Sequence, residues 1–280
     1  MNVFKKISET THYLKNQKKA GKTIGFVPTM GALHNGHLEL MHRAKAENDI
    51  LAVSIFVNPI QFSKPEDLEK YPRDVEKDKK LLESVGCDIL FVPDVNEMYP
   101  ETVNKTYDFG LLEKVMEGAF RSGHFNGVAI VVKKLFEIIL PTRAYFGEKD
   151  FQQLAIIQKL VEIENIPVEI IPCPIVRESD GLAMSSRNER LTNEERKLAP
   201  FIYITLTSVK QKVPSMNIAD VKLMVENMYK DQPEFTLEYF EIAEDTNLQP
   251  VSNWLETKGI VAFIAAYLGN VRLIDNIRII

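Results

Sequence analysis

Apolar residues recur in two rhythms along this chain, and the order in which those rhythms follow one another changes near residue 176. Residues 23–27 (Thr-Ile-Gly-Phe-Val) make a short, apolar, β-branched run that predicts a strand ended by Pro28. Residues 50–57 (Ile-Leu-Ala-Val-Ser-Ile-Phe-Val) are almost continuously apolar, the pattern of a central parallel strand buried on both faces. Residues 88–92, 143–146 and 168–171 read as further strands, the last closed by Pro172-Cys-Pro174. Helical spacing fills the intervals. His37 opens a helix in which Leu40, Met41 and Ala44 share a face, and residues 74–85 read as another. The clearest helix spans 125–139, where Val128, Val131, Val132, Leu135, Phe136 and Ile139 form one stripe. Pro141 ends it, and a further helix over 150–164 sets Leu154, Ile157 and Val161 on one side. Such alternation predicts a Rossmann-like α/β domain, a parallel sheet flanked by helices with ligands at the carboxyl ends of its strands.

Beyond this point helices precede strands. Thr192-Asn-Glu-Glu195 is a capping box opening a helix through Gln211, and a second helix runs over 218–229. Strand-like pieces follow at 235–243, 260–267 and 271–274. The organisation expected is a first domain over residues 1–175 and a smaller C-terminal α+β domain over 176–280. Residues 61–73 are charged and poor in apolar side chains, which predicts a mobile loop near the ligand end of the sheet.

Composition narrows the class. The 280 residues are 45% hydrophobic and 26% charged, as in an ordinary globular protein with a sizeable core. A net charge of −5 lacks the basic balance of a nucleic-acid scaffold while allowing a local basic site for phosphates. Cys87 and Cys173 stand far apart and predict buried, reduced thiols. With no secretory signal and no membrane-length apolar run, the expectation is a cytoplasmic protein without membrane partners.

The chemistry concentrates after the first strand. His34-Asn-Gly36-His37 joins that strand to its helix, placing two imidazoles, a glycine and unpartnered backbone N–H groups at a helix start. A helix N-terminus attracts anions, Gly36 permits close backbone approach, and both histidines can donate to phosphate oxygens. Metal binding competes as a reading, although no Cys, Asp or Glu lies close enough in sequence to complete a ligand set. Asn58 and Gln61 follow the buried strand and can fix a small polar substrate, or merely make the turn. Gly147-Glu148-Lys149-Asp150 opens the helix over 150–164: Lys149 suits phosphate, Asp150 a ribose hydroxyl or a helix cap, and Gln153 lies one turn on. Met184-Ser185-Ser186-Arg187 offers hydroxyls and a guanidinium suited to polyphosphate, or a polar interdomain turn. His12 and His42 read as surface residues, Trp254 as packing, and His124 as a cap or a site residue.

Together these segments resemble the pantoate–β-alanine ligase family, within the wider group of His-x-Gly-His nucleotidyltransferases. The segments that carry the resemblance are Val27-Pro-Thr-Met-Gly-Ala-Leu-His-Asn-Gly-His37, Val53-Ser-Ile-Phe-Val-Asn-Pro-Ile-Gln-Phe62, Tyr71-Pro-Arg73, Phe146-Gly-Glu-Lys-Asp-Phe-Gln-Gln153, Asp180-Gly-Leu-Ala-Met-Ser-Ser-Arg-Asn188 and Arg272-Leu-Ile-Asp-Asn276, spread over nearly the whole chain. The resemblance implies ligation of pantoate to β-alanine through a pantoyl adenylate, with ATP and Mg2+, in a cytoplasmic homodimer. It implies that His37, His34 and Lys149 carry the chemistry. ATP would also meet Thr29, Met30, Gly147, Glu148, Asp150, Val176, Met184, Ser185, Ser186 and Arg187. Pantoate would meet Gln61 and Gln153, with Asn58 near the second-step substrate, and the C-terminal domain would close as a lid. Asn35 stands where the family more often has Glu, and Ser122 replaces a frequent proline.

Two other readings belong to different classes: a nucleotidyltransferase acting on a phosphorylated acceptor, and a non-catalytic module that senses ATP. The first leaves the paired Gln61 and Gln153 without a purpose.

Overall fold

A computed structural model of the chain describes residues 1–62, 65–69 and 71–280, in two compact units. The first comprises residues 1–109, 120–148 and 153–174; the second comprises 110–119, 149–152 and 175–280. In chain order the elements are β1 (Asn2–Phe4), α1 (Ile7–Lys19), β2 (Ile24–Thr29), α2 (Asn35–Glu47), β3 (Ile50–Ile55), α3 (Pro65–Glu69), α4 (Val75–Ser84), β4 (Ile89–Phe91) and α5 (Val95–Met98). There follow α6 (Met116–Phe120), α7 (His124–Ile139), β5 (Arg143–Gly147), α8 (Phe151–Glu164) and β6 (Glu169–Cys173). The chain then forms α9 (Asn193–Leu198), α10 (Phe201–Lys212), α11 (Ile218–Lys230), β7 (Phe235–Glu244), β8 (Ile260–Leu268) and β9 (Val271–Arg278).

The first unit is built on a parallel sheet in the order β1-β4-β3-β2-β5-β6. Every residue of β3 is buried, as its unbroken apolar run requires. The order reverses direction at β2: β3 lies on one side of it and β5 on the other. That is the topological switch point, beyond whose strand ends an open α/β sheet binds its ligands. The turns after β2 and β5 leave from those ends.

Strand β2 does not stop at Pro28 as its sequence predicts, but runs through it to Thr29. Even-numbered residues of β2 face β5, since Thr142 donates to the Ile24 carbonyl, while odd-numbered ones face β3, since Phe56 donates to Thr29. The β2–β5 pairing ends at Phe26, so the N–H that proline lacks falls where no ladder needs it. Helix α7 buries its predicted stripe and stops at Leu140, which turns left-handed (φ 54°) before Pro141. Of the predicted loop at 61–73, Ser63, Lys64 and Lys70 lie outside the described residues; Pro65–Glu69 forms α3.

The second unit folds around the antiparallel sheet β7-β8-β9, which shares a core with α10 and α11. Trp254 joins that core and donates its indole N–H to the Met216 carbonyl at 2.7 Å. The single helix expected from Thr192 is two. The capping box on Thr192 and Glu195 opens α9, but Pro200 has no N–H to continue the ladder, and the chain restarts as α10. Residues 110–119 and 149–152, placed by the sequence in the first domain, belong to the second unit. Glu117 accepts from Tyr239 Oη at 2.8 Å and pairs with Arg272, and Asn276 donates to the Lys149 carbonyl at 3.0 Å. Pairing across distant segments left no local signal for those boundaries. Among the described residues, no helix is long and apolar enough to cross a membrane.

Candidate functional site

In the first unit, β2 delivers the chain into a turn that its own residues hold. The Thr29 hydroxyl donates to the Ser54 carbonyl at 2.7 Å and accepts from Gly31 N. Gly31 and Ala32 both take positive φ, 85° and 51°, which fits glycine at the first and strains the second. Asp78 of α4 stabilises this shape: its two carboxylate oxygens accept from Leu33 N at 2.8 Å and Ala32 N at 3.0 Å. Burial pushes the Asp78 carboxyl above its ordinary range, while those two amides pull it back. No reading of local spacing named Asp78, yet a signal was present. It sits in the apolar stripe of its helix with Leu82 and Val85, where an acid needs a buried purpose.

Helix α2 begins two residues before the predicted start, because His34 is its N-cap. His34 Nδ1 accepts from Gly36 N at 3.1 Å, and His37 Nδ1 accepts from His34 N at 3.4 Å, closing a reciprocal capping box made of two imidazoles. The rings lie 4.1 Å apart. A neutral imidazole that accepts at Nδ1 carries its proton on Nε2, so the cap itself sets both histidines as Nε2–H donors. Among the described residues no cluster of three His, Cys, Asp or Glu side chains could hold a metal ion; the free N–H groups of a helix start favour an anion.

Behind the turn lies a buried amide cluster. Gln61 donates to Met30 Sδ at 3.0 Å and accepts from Asn58 Nδ2 at 3.1 Å. Asn58 is fully buried; it also donates to the Gly127 carbonyl at 3.0 Å and accepts from Tyr99 Oη at 2.9 Å. With its amide so engaged, Asn58 orients the Gln61 side chain. Helix α7 comes close here: a Cβ on Gly127 would stand 2.6 Å from Gln61 Cα. His124, left undecided by the sequence, fixes the Gln61 backbone. Arg121 can only donate to its Nε2 (3.0 Å), so its Nδ1–H donates to the Gln61 carbonyl at 2.8 Å. Gly147 ends β5, Glu148 opens the short helical turn that follows, and Gln153 is half-buried on α8.

The second unit holds the remaining candidates. Lys149 is largely buried, with Nζ 3.9 Å from Asp150 Oδ1. Met184 N donates to the Val176 carbonyl at 2.9 Å, closing a small loop. Directly after it, Ser185 caps a helical turn, its hydroxyl accepting from Arg187 N at 3.2 Å, with Ser186 opening that turn. The two cysteines are buried as expected, and desolvation pushes the Cys87 thiol up to about 12.

A parallel sheet whose switch-point strand runs into a His-x-Gly-His helix start defines an α/β enzyme of the nucleotide-activating kind. Comparison with known proteins makes this specific. The sequence model described as Pantoate-beta-alanine ligase matches residues 2–278. The pantothenate synthetase of Christiangramia forsetii is 51% identical over 281 residues, covering 100% of this chain and 99% of that protein. The crystal structure of pantothenate synthetase from Thermus thermophilus superposes with a TM-score of 0.93 at 42% identity, covering 100% and 99% of the two chains. A pantoate-beta-alanine ligase structure from Francisella tularensis, complexed with beta-gamma ATP and β-alanine, gives 0.82 at 36% identity over 99% and 97%. The chain belongs to the pantoate–β-alanine ligase family. It is accordingly a ligase that joins pantoate to β-alanine to give pantothenate.

Proposed function

We propose that the chain activates pantoate with ATP as a pantoyl adenylate and then transfers the pantoyl group to β-alanine. The observation that carries this reading is the double-imidazole cap on α2, which gives a helix start two Nε2–H donors beyond the strand that marks the switch point. The Francisella tularensis relative, solved with beta-gamma ATP and β-alanine, supports it.

Pantoate's carboxylate is already a nucleophile, so adenylation asks the protein for alignment and charge neutralisation rather than for a base. In this reading His34 and His37 donate to phosphate oxygens, and Lys149, Ser185, Ser186 and Arg187 take up the charge of the departing pyrophosphate. Backbone groups at Thr29, Met30, Val176 and Met184, with Gly147, Glu148 and Asp150, receive the nucleoside. Gln61 and Gln153 hold pantoate. One Nε2 hydrogen of Gln61 goes to Met30, which leaves the other for the substrate. Mg2+ enters with ATP as part of the substrate, sharing phosphate charge. The enzyme is read as cytoplasmic and as a homodimer, and light scattering tests the dimer directly.

Pantoate-dependent exchange of pyrophosphate into ATP, measured without β-alanine, tests the adenylate. Exchange that requires pantoate supports it. Absence of exchange, together with AMP release only when all three substrates are present, refutes a free-standing adenylation step.

A further inference from the structure

Three residues outside the sets discussed so far converge on the segments that carry Lys149 and Ser185–Arg187, all within the second unit. On β9, Asp275 has no exposed side-chain surface. Arg177 forks onto it, Nη1 to Oδ2 at 2.6 Å and Nη2 to Oδ1 at 3.0 Å. The same guanidinium donates to the carbonyls of Gly181 at 3.0 Å and Asn276 at 3.2 Å, and stacks 4.1 Å over the Tyr203 ring. Arg177 bridges to Ala183, so it ties β9 to the base of the loop that leads into Ser185. The next residue of β9, Asn276, is 5% exposed and donates Nδ2 to the Lys149 carbonyl at 3.0 Å. Phe151 packs edge-on against Phe263 of β8, anchoring the same helix start. A buried ion pair adds little net stability over an apolar packing but does impose a single geometry, because a misplaced buried charge is costly.

We propose that Asn276 and the Arg177–Asp275 pair are positioning residues for the nucleotide phosphates, setting from one strand both the backbone at Lys149 and the loop carrying Ser185–Arg187. The proposal rests on the phosphate roles given above to Lys149 and Arg187. Its content is that two phosphate-binding segments, far apart in sequence, share one rigid reference.

The test is steady-state kinetics of the full-length enzyme. Asn276→Leu keeps the size of the side chain and removes the donor. It should raise the KM for ATP about five- to tenfold, the worth of one buried hydrogen bond, with the KM for pantoate within twofold. A merely structural role would lower kcat through loss of active enzyme and leave both KM values alone, and that result overturns the proposal. Asn276→Leu should add nothing to ATP binding in a Lys149→Ala background, because it acts through the Lys149 backbone; effects that multiply also overturn it. If Asn276→Leu does not fold, Asn276→Asp, which keeps the shape and turns an oxygen on the Lys149 carbonyl, carries the same comparison. Arg177→Lys keeps the charge and loses the fork. It should raise the ATP KM in the same direction, and an unchanged value removes the ion pair from the proposal. A Lys149→Ala enzyme with unaltered ATP kinetics would instead refute the phosphate role itself.

Discussion

Replacing Asp78 by alanine tests whether the turn before His34 is held from α4. The variant deprives two backbone amides of their acceptor. Leu33 is buried, so its N–H loses its partner out of reach of water, at a cost of about 1–3 kcal/mol. Ala32 is half-buried and can turn to water, which limits its share to about 1 kcal/mol. Relief from burying a carboxylate, visible in its raised pKa, offsets part of the sum. The net expectation is a loss of about 2–3 kcal/mol, or roughly 4–12 °C in Tm at about 2–4 °C per kcal/mol. Released from Asp78, the positive-φ path through Gly31 and Ala32 relaxes and the two imidazoles shift. A displacement near 1 Å at reacting groups costs on the order of a hundredfold in rate. Thermal unfolding and pantothenate formation, measured on the same preparation, should therefore both fall. A variant with wild-type Tm and kcat would refute the argument that Asp78 holds this turn.

His37→Ala should lower kcat by about 10²–10³-fold, the usual loss for one transition-state donor, with far-UV circular dichroism unchanged; wild-type turnover would remove His37 from the mechanism. Gln61→Ala should raise the KM for pantoate more than that for ATP, and equal effects on both would contradict its assignment. Neither Cys87 nor Cys173 should react with a thiol reagent at pH 8 until the protein is unfolded, since burial raises both thiols; rapid native labelling of either would contradict its burial. The Thr23 amide and hydroxyl hold the Asp49 carboxyl below its usual value. Its stabilising share is thus present above that usual value and lost as pH falls through the folded pKa. The Tm difference between wild type and Asp49→Asn should shrink as the solution is acidified, and a constant difference would refute the linkage.

Much of this protein is legible in its chain order because the physics involved is local. The stripe from Val128 to Ile139, the unbroken run of β3 and the Thr192 capping box each depend on neighbours within a few residues. The sequence by itself thus determined the α/β alternation, the α+β character of the C-terminal part and the His-x-Gly-His helix start. Tertiary structure decided what depends on partners distant along the chain. Pro28 survives inside β2 because the neighbouring ladder has ended by Phe26. Asn58 serves Gln61 because Tyr99 and Gly127 occupy its other atoms. Asp78 and Asn276 matter through backbone groups 45 and 127 residues away. Residues 110–119 and 149–152 join the second unit because Glu117 meets Arg272 and Lys149 meets Asn276. Periodicity reports which face of an element is buried, whereas the partner that satisfies a buried polar group is set only when separate elements pack.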